Sequence, residues 1–190
     1  MVDKIRGAAV APNLVDGISV KFGEPATGVV SVGDNVAYVR RARLTLSGFA
    51  ITVAQASDFG GAKLLDLPDR NIMLLGMEVD CVVTKQGNTN GIVAATDITM
   101  AIGTGVAAAT PLAGTAIDVI EATAMTADAL AVDFEKHSND QSTISFPKKL
   151  ADSASLALFM NIAAAITADS SVTVDGIIDI FYIDLGNLSS

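Results

Sequence analysis

Apolar residues alternate with polar ones at a period of two along most of this chain. The pattern is clearest in residues 155–185. There Leu156, Leu158, Met160, Ile162, Ala164 and Ile166 share one parity, as do Val172, Val174, Ile178, Ile180 and Tyr182. At 180° per residue each set forms one apolar face of an extended strand. The short polar link of residues 167–171 suits a hairpin, so the two runs are predicted to pair antiparallel.

A second run carries Met73, Leu75, Met77, Val79, Cys81 and Val83 on one parity, with Glu78, Asp80 and Thr84 on the other. A helix would bury Glu78 or Asp80 among apolar neighbours, so a strand is predicted. After the polar cluster at residues 86–91, alternation resumes through Ile92, Ala94, Ile98, Met100 and Ile102, which predicts a long hairpin over residues 71–102. Earlier, Leu44 and Leu46 share one parity while Phe49, Ile51 and Val53 share the other. The change of phase falls at Gly48, where a β-bulge would return all five to one face.

The remaining stretches read as connectors and ends. Residues 1–40, with Pro12, Pro25 and several glycines, predict an extended arm or short edge strands, and residues 41–190 the folded domain. Residues 58–61 form a turn signal, residues 64–69 a loop with buried leucines, and residues 144–146 a short strand closed by Pro147, with Lys148 and Lys149 exposed. One short helix is predicted from Thr115, where Thr115 and Asp118 have capping-box spacing and Ile117, Ile120 and Ala124 follow at threes and fours. The class is therefore all-β and mainly antiparallel: a β-sandwich with one short helix and an extended N-terminal arm.

Composition narrows the function. Twelve basic and 21 acidic residues leave a formal charge of −9, which repels a polyanion and argues against nucleic acid as a partner. Arg40, Arg41 and Arg43 are the local exception, read as solvating a strand end or pairing with acids on another subunit. No run reaches the roughly 18–20 apolar residues of a membrane helix, and the apolar piece after Lys4 and Arg6 ends at Pro12, too short for a signal-peptide core. A soluble protein made in the cell is expected, with no membrane partner. Half the residues (51%) are hydrophobic, yet there is no Trp and there are only two Tyr. Such a surplus predicts that part of the surface is covered by other subunits.

The candidates for chemistry are sparse. Gly103, Gly105 and Ala108 match G-x-G-x-x-A, but Pro111 stops the helix a dinucleotide site requires, so no cofactor is assigned. His137 is the lone histidine, in a stretch that reads as a polar loop, with no G-x-S-x-G anywhere, so no catalytic residue is assigned. Cys81, the single cysteine, falls on the apolar parity and reads as a small buried side chain. Glu78 with Asp80 and Asp175 with Asp179 are acids on one strand face. Without a calcium-loop pattern they read as a solvated surface, with an intersubunit cation site as the alternative and no metal assigned.

Laid end to end, the chain resembles small virion proteins of tailed bacteriophages, in particular capsid decoration (cement) proteins of marine phages. The likeness lies in the N-terminal arm, in Arg41, Leu44, Thr45 and Leu46, in residues 58–64, in the turn at residues 101–104 and in the closing residues 182–186. The resemblance implies a jelly-roll-like sandwich, made in the host cytoplasm, that binds the major capsid protein on the outside of the virion and associates with itself as a homotrimer. The arm with Lys4 and Arg6, and the flank with Arg40, Arg41 and Arg43, are the expected contact residues. The alternatives are another virion part (tail tube, head fibre or minor jelly-roll capsid protein) and, further off, a carbohydrate-binding sandwich, which would display aromatic rings on a concave face.

Overall fold

Period-two alternation produces strands throughout, and the partners of those strands give the architecture. A computed structural model describes residues 24–36, 39–67, 71–87, 91–125, 128–137, 142–150 and 156–186. Its strands are β1 (Glu24–Pro25), β2 (Val29–Val36), β3 (Val39–Val53), β4 (Phe59–Asp66), β5 (Asn71–Lys85), β6 (Ile98–Gly103), β7 (Ile120–Met125), β8 (Ala131–His137), β9 (Lys148–Leu150), β10 (Ala157–Ala163) and β11 (Ser170–Gly186). They form two antiparallel sheets, β1-β4-β10-β6-β7 and β2-β3-β11-β5-β8, with β9 also beside β5. Set aside β1, β2 and β9, and the orders β4-β10-β6-β7 and β3-β11-β5-β8 are those of a jelly-roll sandwich.

Both predicted hairpins are absent, and the reason is shared. β10 and β11 lie in different sheets, as do β5 and β6. The links at residues 164–169 and 86–97 are arches that carry the chain across the sandwich. An arch and a hairpin place the same parity on the core, because two facing sheets each turn one face inward. Seven of the ten connections between described strands cross from sheet to sheet, and only β2–β3, β6–β7 and β8–β9 do not.

The arch end is tied by polar groups. The Ala164 N–H donates to the Asp58 carbonyl at 2.9 Å and the Ile166 N–H to Asp58 Oδ1 at 3.1 Å. Asp169 Oδ1 accepts from the Gln55 N–H at 2.8 Å, and Ser170 Oγ from the Ile92 N–H at 3.0 Å. The buried Lys85 lays its ammonium on the Ala94 carbonyl at 2.7 Å.

The bulge at Gly48 is present. Val174 pairs with Phe49 and Gly176 with Leu46, so Ser47 and Gly48 together oppose Asp175. Gly48 has φ +60°, a conformation costly for residues with a Cβ, and its N–H donates to Asp175 Oδ1 at 2.7 Å. Leu44, Leu46, Phe49, Ile51 and Val53 all enter the core as a result.

A second bulge leaves no mark in the alternation. Phe181 pairs with Gly76 and Tyr182 with Leu74, leaving Leu75 as the extra residue. Ile72 and Leu74 therefore fill the core, and Met73 and Leu75, expected there, lie on the outer side. The signal is invisible because residues 72–77 are apolar on both parities.

Other expectations shift. One turn of 3-10 helix covers Gly114–Ala116, and the predicted continuation to Ala124 is replaced by β7, whose Ile120 and Met125 face the core. The capping-box acid Asp118 serves a tertiary role described below. The short strand predicted at residues 144–146 lies at β9, residues 64–66 belong to β4, and His137 ends β8 instead of standing in a loop. Within the predicted arm, residues 24–36 supply the edge strands β1 and β2. Lys4 and Arg6 lie outside the described residues.

Candidate interaction surface

The two outer faces of the sandwich differ. On the five-stranded sheet, residues 104–119 leave β6, run along the outer face and return to β7. Thr110 Oγ1 hydrogen-bonds the carbonyl oxygens of Ser57 and Asp58, so this cap reaches the arch end. Ala107, Leu112 and Ala116 form a small second core against Ala101 and Ala163.

Asn161 of β10, fully buried on that side, fixes the cap. Its Oδ1 accepts from the Ala107 N–H at 2.8 Å, and its Nδ2 donates to the Gly105 carbonyl at 3.0 Å and the Ala116 carbonyl at 2.9 Å. Gly103 permits the fit, since a Cβ there would stand 2.0 Å from the Thr115 carbonyl oxygen. The G-x-G-x-x-A run is thus a packed cover whose backbone is engaged within the chain. Asp118 binds the Thr104 N–H at 2.7 Å, Thr104 Oγ1 at 2.8 Å and Lys148 Nζ at 2.8 Å, tying the cap to β9. Lys148, expected to be exposed, is half-buried in this contact.

The outer face of the six-stranded sheet carries no such cap among the described residues. Register places its side chains in rows across the strands. One row reads Arg43, Asp179, Glu78, His137, and the next Thr45, Ile177, Asp80, Glu135. All of these but Thr45 line a groove of about 310 Å³.

Arg43 grips Asp179 with both ends of its guanidinium, Nε to Oδ1 at 2.9 Å and Nη2 to Oδ2 at 2.6 Å. His137 Nδ1 stands 3.8 Å from Glu78 Oε1, both side chains more than half exposed. Toward the open end of the sheet the rows become apolar: Arg41 beside Phe181 and Leu75, then Val39, Ile183, Met73 and Lys149. Phe181 is the one phenyl ring in these rows, so a platform of stacked rings for a sugar is absent among the described residues of this face.

The arginine flank is largely internal. Arg40, on the inner parity, donates to Asp184 at 3.0 Å at the mouth of the core. Arg43 is held by Asp179, and Arg41 stands opposite Phe181 and Asp34 in the register. The acids expected on another subunit are supplied by β11 of the same chain for Arg40 and Arg43. The pairing between β3 and β11, invisible in sequence order, creates both contacts.

Cys81 is buried, as its parity predicts. Burial first, and the neighbouring charge of Asp80 second, push its thiol up to about 12, so it remains protonated and unreactive near neutrality. Among the described residues no group of three or more His, Cys, Asp or Glu side chains is placed to hold a metal ion. No described helix is long and apolar enough to cross a membrane.

No family model matches the chain, and no curated protein matches it. Among solved structures it is similar to a family 11 carbohydrate-binding module from Clostridium thermocellum, in complex with a β-1,3-1,4-mixed-linked tetrasaccharide. The identity is 12% and the TM-score 0.30, over 90% of this chain and 96% of that module. A TM-score of this size bears on neither family nor function.

Proposed function

We propose that this chain is a non-catalytic structural protein of a tailed-phage virion, binding the outer surface of the capsid lattice and stabilising the shell. The observation that supports it is where the polar side chains go. Several buried and half-buried ones are engaged with other strands and with the cap. Asn161 holds the cap, Asp118 joins Thr104 to Lys148, and Arg43 and Arg40 clamp β3 to β11. No buried polar side-chain atom among the described residues lacks a hydrogen-bond partner. These side chains cross-link strands and cap, as suits a protein that resists deformation. The jelly roll also serves in viral capsids and lectins, a fold-level analogy that adds weight without deciding the role.

The role is tested on density-purified particles from the source culture, by quantitative mass spectrometry of this chain against the most abundant shell protein. Hundreds of copies in fixed ratio to the shell are expected; a handful would assign the chain to a tail or fibre, and absence would discard the virion role. Contact by the N-terminal residues is tested by removing residues 1–23. This truncation leaves β1 and β2 in place, whereas removal of residues 1–40 would strip both from the sheets. Loss of shell binding with an unchanged fold is the expected outcome, and retained binding would remove these residues from the interface.

A further inference from the structure

On the outer face of the five-stranded sheet, a cavity of about 190 Å³ lies between the cap and the arches. Its floor is the sheet itself, Thr99 of β6, Ala122 of β7 and Ala163 of β10, and the cap supplies Pro111 and Leu112 as one wall. The walls are held in place. The Asp58 carbonyl accepts from Thr110 Oγ1 of the cap at 3.3 Å and from the Ala164 N–H of the arch at 2.9 Å, so one group ties both sides of the opening. The cavity is therefore preformed, and it is smaller than the roughly 300–1,000 Å³ of sites that enclose small molecules. Its size is that of one side chain.

The polar groups that line it share a property: they accept hydrogen bonds. Asp97 contributes a carboxylate, which only accepts. Thr110 spends its one hydroxyl proton on the Ser57 or Asp58 carbonyl, so toward any further partner it accepts as well. Thr99 adds a hydroxyl that accepts as readily as it donates. Asp97 is also the exception among the acids around the cap and the arches. Asp58, Asp118, Glu121 and Asp169 each hold a backbone N–H of the chain. The exposed Asp97 has no hydrogen-bond or ion-pair partner among the described residues.

We infer that this cavity receives the lysine side chain of a partner protein. A lining of acceptors above apolar walls is complementary to a group that only donates, carried at the end of an apolar stem. Lysine is that group, with N–H donors, no acceptor and a flexible hydrocarbon stem. The stem lies against Ala122, Ala163 and Leu112, and the ammonium meets Asp97 and the two hydroxyls. One carboxylate with hydroxyls at separate points suits a compact ammonium with freely turning donors; arginine's rigid planar fork matches a bidentate partner instead. A carboxylate or phosphate is repelled by Asp97. The inference stands whether or not the chain binds a shell.

The test is a titration of the isotope-labelled chain with Nα-acetyl-lysine methylamide, followed by amide NMR shifts. Saturable shifts confined to residues 97–99, 110–112 and 163–165 are expected, with a dissociation constant in the millimolar range. The norleucine analogue, which keeps the stem and lacks the nitrogen, should bind about fivefold more weakly or worse, and so should the arginine analogue. Asp97→Asn should weaken the lysine analogue by about the same factor, with shifts elsewhere in the spectrum unchanged because Asp97 is exposed. Glu135→Gln, on the opposite outer face, should leave binding as it is.

An absence of shifts at tens of millimolar would overturn the inference. So would a norleucine or arginine analogue that binds as well as the lysine one, binding that survives Asp97→Asn, or equal weakening by Glu135→Gln. Tighter binding of free n-butylamine than of the lysine analogue would assign the cavity to small amines and remove the partner protein. Shell binding is measured separately on particles, so any of these results leaves the proposed function standing.

Discussion

The two outer faces of the sandwich start from the same strand chemistry and end differently. The five-stranded sheet is covered by its own chain: residues 104–119 lie on it, and the buried Asn161 answers three of the cap's backbone groups. The six-stranded sheet is left bare among the described residues, with an acidic half and an apolar end. The covered face shows how this molecule satisfies a buried sheet surface when the cover is local in sequence. The other face, which no described residue caps, is acidic over one half and apolar at its open end.

That contrast predicts unequal costs. Asn161→Ala should be the most damaging single change on either outer face. It removes the partner of one buried N–H, one buried carbonyl and one part-buried carbonyl and should destabilise by roughly 3 kcal/mol, read from urea unfolding. A cost below about 1 kcal/mol would mean that the cap does not depend on Asn161.

Asp118→Ala should cost about 1–2 kcal/mol, because Thr104 and Lys148 lose a shared carboxylate in a half-buried site. On the bare face, Asp179→Ala should cost only about 1 kcal/mol. Arg43 is 42% exposed and can rehydrate when its partner is removed. If Asp179→Ala proved as costly as Asn161→Ala, the two faces would not differ in the way described.

Cys81 offers a further measurement. Its buried, protonated thiol should resist a maleimide at pH 8 in the native protein and react on unfolding. Rapid native labelling would mean that β5 opens locally.

The smallest effect concerns Glu121, whose carboxylate accepts from Thr143 Oγ1 at 2.9 Å and from the Ser142 N–H at 3.2 Å. These bonds, Thr143 first, hold its carboxyl below the ordinary 4.5. A depressed folded-state value means that its contribution is present above the ordinary value and fades as pH falls through the folded one. Amide exchange at residues 142 and 143 should therefore show added opening, beyond the intrinsic pH dependence, only below about pH 4.5. A Glu121→Gln variant with the same profile would argue against this attachment.

Part of the molecule is legible in the alternation alone. The bulge at Gly48 shows as a change of phase between Leu46 and Phe49, whereas the bulge at Leu75, beside Gly76 and among residues apolar on both parities, changes no visible phase. The interaction residues are legible only in part. Arg40, Arg41 and Arg43 stand out as a cluster, but the acidic partners of Arg40 and Arg43 lie more than a hundred residues away on β11, with sequence separations of 144 for Arg40–Asp184 and 136 for Arg43–Asp179. Asn161 gives no signal at all, being one polar residue on the outer parity of a core strand. The helix predicted from Thr115 fails because threes and fours in an Ala- and Thr-rich stretch also arise by chance, and pairing with β6 favours the strand.

By itself, the order of apolar and polar residues determined the strand class and most of the side chains that enter the core, residues 72–75 excepted, because a strand's side chains alternate and burial of one parity is the dominant favourable term. It also determined the acidity and the single buried thiol. Only the tertiary structure decided which strands are neighbours, since a short polar link serves equally as a hairpin turn or as an arch, and both put the same residues inside. With that choice came the jelly-roll order, the arginine clamps across β3 and β11, and the difference between a face that residues 104–119 cap and a face that no described residue caps.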